Sequence, residues 1–111
     1  MNMNNTTPNF PAIPTISSYN LVALINWNRK DEESLVRHDR FMVKVPKYFG
    51  EVLAAGFFGN DTFARKSGSF SRNVYNFPKL EAYSIAREYG YELTEKAFEE
   101  FGKGFDRATS R

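Results

Sequence analysis

Apolar and polar positions trade places with two different periods along this chain. From Tyr19 to Trp27 (YNLVALINW) they alternate, placing Tyr19, Leu21, Ala23, Ile25 and Trp27 on one side of an extended segment. Leu21, Leu24, Ile25 and Asn28 also stack at helical spacing, so a helix starting after Ser17–Ser18 competes. The Val, Ile, Tyr and Trp content favours the strand. Asn28–Glu33 (NRKDEE) reads as a polar turn and Leu35–Val45 (LVRHDRFMVKV) as the returning strand, most clearly at Phe41–Val45. Together they predict a first hairpin.

Pro46 opens a predicted helix, where a missing N–H does no harm. Tyr48, Val52 and Ala55 form one face with Phe49, Leu53 and Gly56 beside it, and Gly56 is a natural stop. Phe57–Phe77 then turns to Gly, Ser and Asn. Turn signals at Gly59-Asn60-Asp61 and Lys66-Ser67-Gly68-Ser69 bound two further strands, Thr62–Arg65 and Phe70–Phe77. In the second of these, Ser69, Ser71, Asn73, Tyr75 and Phe77 alternate with Phe70, Arg72, Val74 and Asn76. Pro78 starts a helix through Tyr89, with Ala82, Ile85, Ala86 and Tyr89 as its apolar stripe and Gly90 as its end. Thr94 caps a last helix in which Leu93 staples against Phe98, Ala97 and Phe101 continue the apolar face, and Gly102 is the stop.

Residues 1–18 (MNMNNTTPNFPAIPTISS) have Pro8, Pro11 and Pro14 at a three-residue spacing, which favours extended or disordered chain. Phe10, Ile13 and Ile16 repeat at the same period and would line one edge of a threefold helix, in an arm that lies across this domain, a partner or a second subunit. The expected fold is thus a small single α+β domain, an antiparallel sheet of two hairpins packed by about three helices, with an extended N-terminal arm. Its expected divisions are the arm at 1–18, the domain at 19–104 and a frayed tail at 105–111.

The chain has 111 residues, which suits one domain. Aromatics make up 16%, including eleven Phe, so a modest core can still bury large side chains. There is no Cys, which excludes thiolate zinc sites, Cys nucleophiles and iron–sulfur clusters and points to a reducing compartment. The longest apolar runs fall far short of a bilayer span, and the Asn- and Thr-rich start is unlike a signal peptide. The expected location is cytoplasmic, without a membrane.

Net charge is only +2, but its distribution is uneven. From Ser34 to Leu80 eight basic residues (Arg37, Arg40, Lys44, Lys47, Arg65, Lys66, Arg72, Lys79) face three acidic ones (Asp39, Glu51, Asp61). From Glu81 to Glu100 six Glu outweigh Arg87 and Lys96. A basic middle and an acidic rear result.

Catalysis finds little support. His38 is the sole His, and in a strand Asp39 would point away from it. Ser34 lies too far along an extended segment to bond to it. Asp31-Glu32-Glu33 lacks the spacing and central Gly of a calcium loop. Gly50, Gly56 and Gly59 fit no phosphate-binding fingerprint. Neither a catalytic residue, a metal site nor a cofactor is expected.

Binding is the better expectation. Phe57–Phe77 interleaves Phe58, Phe63, Phe70, Tyr75 and Phe77 with Arg65, Lys66 and Arg72. Cations that track phosphates beside aromatics on which bases stack are the chemistry of single-strand binders. Lys44, Lys47, Arg65, Lys66, Phe70, Arg72 and Tyr75 are therefore the candidate contacts for nucleic acid or a nucleoprotein complex. The alternative is a protein–protein inhibitor or adaptor, for which Phe10, Ile13, Ile16 and Trp27 would be anchors, with Tyr19 and Phe105 as further exposed rings. In style, though in no alignable motif, the chain is similar to the short reading frames of phages and plasmids, whose products include anti-defence and virion-associated proteins.

Overall fold

A computed structural model of the chain describes residues 13–29 and 34–102, with the side chains at 63 and 65 outside that description. Among the described residues there are five helices and three strands, an α+β arrangement. Strand β1 (Thr15–Ser17) leads directly into helix α1 (Ser18–Trp27); α2 (His38–Phe49) and α3 (Glu51–Phe57) follow. A long hairpin is formed by β2 (Phe58–Arg65) and β3 (Gly68–Pro78). Among the described residues α4 (Lys79–Glu88) and α5 (Glu95–Phe101) come last. The antiparallel sheet has the order β1-β3-β2. Its central strand pairs with β2 from Gly68 to Tyr75 and with β1 from Asn76 to Pro78.

The first predicted hairpin is replaced by two helices. Ser17 caps α1 by accepting the Asn20 N–H at 3.1 Å, and the helix turns Leu21, Val22 and Ile25 into the core. Alternation would have buried Ala23 and Trp27, yet both are exposed, Trp27 at 91%. Burial of one helical face outweighs the strand preference of Val, Ile and Trp, as tertiary context commonly does. In the same way, α2 buries Phe41 and Val45, four residues apart, and packs Phe49 against the core.

Pro46 lies inside α2 instead of opening it, so the helix gives up the one intrahelical bond that its missing N–H would have made. Gly50 then takes a φ of 91°, left-handed territory that favours glycine, and breaks the expected Pro46–Gly56 helix in two. Gly56 sits within α3, and Val52 and Leu53 face solvent.

The second half follows expectation more closely. Ala82, Ile85 and Ala86 of α4 are buried, and Tyr91 N–H and Gly90 N–H close its end on Ala86 O and Arg87 O. That pair of bonds, with Gly90 at φ 74°, is a Schellman stop. Thr94 Oγ1 caps α5 by accepting the Ala97 N–H at 3.1 Å, while Leu93 and Phe98 join the core.

Of the N-terminal arm, Thr15–Ser17 is a strand and Ile16 lies fully buried against the centre of the sheet, paired with Phe77. The expected arm over 1–12, the tail from 103 onward and the Asp31-Glu32-Glu33 cluster lie outside the described residues. No helix of the described residues is long and apolar enough to cross a membrane.

Candidate functional site

Strand register decides what the hairpin can present. Asp61 sits opposite Arg72, Phe63 opposite Phe70, and Arg65 opposite Gly68, so these positions share one face with Val74. Phe58, Asn60 and Thr62 lie opposite Tyr75, Asn73 and Ser71 on the other. Arg72 and Tyr75, both candidate contacts, therefore belong to opposite faces.

On the first face Asp61 and Tyr19 are among the neighbours of Arg72. Its Nε lies 3.7 Å from Asp61 Oδ2, and its guanidinium carbon is 3.5 Å from the ring centroid of Tyr19. Tyr19, from the first turn of α1, in turn meets His38 edge-on with centroids 5.7 Å apart. Phe70, 42% exposed, stands two residues along the strand from Arg72 on the same face, and Lys66 is exposed in the two-residue turn. The result is a row of a cation on an aromatic ring, an imidazole and a further exposed ring. Such a row can offer a stacking face and a guanidinium to a planar, anionic ligand.

Tyr75 has a different job. Its ring packs edge-on against Phe58 at 5.6 Å and lies stacked at 6.4 Å from the buried Phe77. It borders a shallow depression with Pro46, Glu51, Ala54, Ala55 and Phe58, away from Arg72. Lys44 and Lys47 do not extend the hairpin patch either. They line, with Tyr48, Ile85, Glu88 and Tyr89, a depression of about 270 Å³ by α2 and α4 that none of the described hairpin side chains borders.

Beneath the Arg72 row lies a pairing that the sequence concealed. Ser18 Oγ accepts the Tyr75 N–H at 3.0 Å and lies 2.8 Å from His38 Nε2 and 3.4 Å from Met42 Sδ. Burial pushes the imidazole below its ordinary value of 6.5, the Arg72 charge adds to this, and Asp39 partly opposes it. The neutral ring that results accepts the Ser18 hydroxyl proton at Nε2 if its own proton sits on Nδ1. A serine within reach of a histidine has the spacing of a nucleophile and its base. Ser18, however, is wholly shielded from solvent, and its oxygen is already bonded to the strand. The pair joins α1, α2 and β3 at one point. Asp39 meanwhile bonds to Arg37 at 2.9 Å and to the Arg40 N–H, not to His38.

Among the proposed protein anchors, Ile13 is exposed and Ile16 is core, which removes Ile16 from any surface; Phe10 lies outside the described residues. Trp27 stands in solvent beside a groove of about 520 Å³ lined by Asn20, Ala23, Leu24 and Phe101. Among the described residues no group of three His, Asp or Glu side chains is placed to hold a metal ion. Lys44's neighbours Arg37 and Arg40 and the Ser18–His38 pair were absent from the sequence-derived site. The helical spacing of the first set was legible once α2 is taken as a helix; the second spans twenty residues and carries no local signal. No protein family, curated protein or solved structure matches the chain.

Proposed function

We propose that the protein is a non-catalytic binder of nucleic acid, alone or within a nucleoprotein complex, and that the hairpin β2–β3 is its base-contacting arm. The observation that carries this reading is the row of Phe70, Arg72 and Tyr19, in which exposed rings and a guanidinium share one face. Aromatic faces accept unpaired bases of any sequence, and Lys66 adds a phosphate contact at the tip.

Replacing Phe70 with Ala together with Lys66→Ala is expected to weaken binding of a labelled single-stranded oligonucleotide. A lost stack is worth about 1–3 kcal/mol per base, so Kd rises by roughly 5- to 150-fold. Fluorescence anisotropy measures it. Failure of the unaltered protein to bind single- or double-stranded oligonucleotides at low salt sinks the reading.

A second reading, a protein-binding inhibitor or adaptor, is favoured by Trp27. The chain's one Trp lies almost fully in water at the rim of an apolar groove, a position that suits an interface anchor. The same titration separates the two. Nucleic acid on the hairpin leaves Trp27 emission unchanged, whereas a protein seated on the groove shifts it to the blue.

A further inference from the structure

We infer that one flank of α2 is a track for a nucleic-acid phosphate backbone, separate from the hairpin; the identity of the ligand rests on the reading above. Arg37, Arg40, Lys44 and Lys47 follow one another at steps of three, four and three residues, which places them along a single flank of the helix. All four are exposed. At ~1.5 Å per residue they extend over about 15 Å from the capping residue to the last turn. One strand of a duplex presents a charge every ~3.4 Å of axis, so this length faces about four phosphates.

The surface around the four cations is shaped to receive a chain. Lys44 and Tyr89 border both the depression that holds Lys47 and a neighbouring one of about 350 Å³ lined by Arg37 and Arg40. The two therefore run together along the helix. Arg29 also lines the second depression, but its guanidinium donates to Ser34 O and Tyr89 O, which fixes the wall. Among the described residues opposing charges are few: Glu88 borders the first depression, and Asp39 pairs with Arg37 in an exposed contact that contributes little.

A membrane surface fits less well. A basic helix that binds a bilayer inserts its apolar face, and here that face is spent on the core through Phe41 and Val45. Phosphates held from outside the helix need no insertion.

The test is Arg40→Ala with Lys44→Ala and Lys47→Ala in the full chain, titrated with a labelled duplex from ~50 to 200 mM salt. Loss of three phosphate contacts is expected to flatten the log–log salt slope by about 2.7 and to raise Kd at least ~10-fold at the low-salt end. Circular dichroism of the variant should match that of the parent, and Arg40→Lys with Lys44→Arg and Lys47→Arg should restore the slope. Unchanged slope and affinity in the alanine variant, with single-strand binding still weakened in the Phe70 and Lys66 variant, overturns the track and leaves the hairpin reading standing. If the unaltered protein binds no nucleic acid, both fall. If polyglutamate displaces the duplex as well as unlabelled DNA does, the flank is a surface for acidic protein and the inference is wrong.

Discussion

Phe77→Ala is expected to lower the stability of the domain by about 3–5 kcal/mol, read as a fall in the urea midpoint with an unchanged slope. The ring is wholly buried in the strand that holds the sheet together. It meets Phe41 and Phe57 edge-on, with centroids 6.2 and 5.8 Å away, and lies tilted at 6.0 Å from Phe49. Tyr75 stacks beside it, and Ile16 is its partner across the β1 pairing. Its loss would leave a void between β1, α2 and α3 that none of them could fill without moving. Domains of this size hold a total of only ~5–15 kcal/mol, so a large part of the folded population's margin depends on this ring. Phe70→Ala, on the exposed hairpin, should stay within about 0.5 kcal/mol of the parent. A fall below about 1 kcal/mol for Phe77→Ala would contradict the packing described.

Ser18→Ala is expected to cost about 1–3 kcal/mol, because the Tyr75 N–H is left without its acceptor in a buried place. The same locus sets a pH dependence with a definite sign. Native His38 holds its proton less tightly than the unfolded chain does. Below pH ~6.5 the unfolded state takes up a proton that the native state refuses. Stability is therefore full above that pH, declines as pH falls through it, and levels off below the lowered native value. Urea midpoints collected from about pH 8 to 5 should show this decline, and His38→Gln should remove most of it. His38 is the chain's only His, which keeps the assignment clean. A midpoint that rises on acidification from pH 7 would mean that the native state stabilises the imidazolium.

What the sequence disclosed depends on how local the deciding forces are. The stop at Gly90, the cap at Thr94 and the turn at Lys66-Ser67 act within a few residues of themselves, and each is where the pattern placed it. The alternation over Ser69–Phe77 likewise matched the faces of β3. The apolar residues of Tyr19–Trp27 satisfy both periods, and only the cap on Ser17 and the core beyond it choose the helix. With α2 taken as a strand, Arg37, Arg40, Lys44 and Lys47 show no common flank, and Ser18 has no reason to meet His38. Of the seven proposed nucleic-acid contacts, Lys66, Phe70 and Arg72 stand together on the described hairpin. Tyr75 belongs to the packing, Lys44 and Lys47 to another surface, and Arg65 is known by its register alone.

Gly102 ends α5 so close to β1 that a methyl group there would fall 2.7 Å from Thr15 O and 2.5 Å from Phe98 O. Asn20 Nδ2 ties the same corner by donating to Phe101 O at 3.0 Å, across 81 residues of chain. The polypeptide thus enters and leaves the described fold side by side, which makes the fold almost a closed ring. A ring can be cut elsewhere. A circular permutant that joins 102 to 13 through a short flexible linker and opens between Lys66 and Ser67, at an exposed turn, should retain the parent's circular dichroism spectrum. Collapse of that spectrum would show that the hairpin turn, more than the meeting of the two ends, holds the sheet in register.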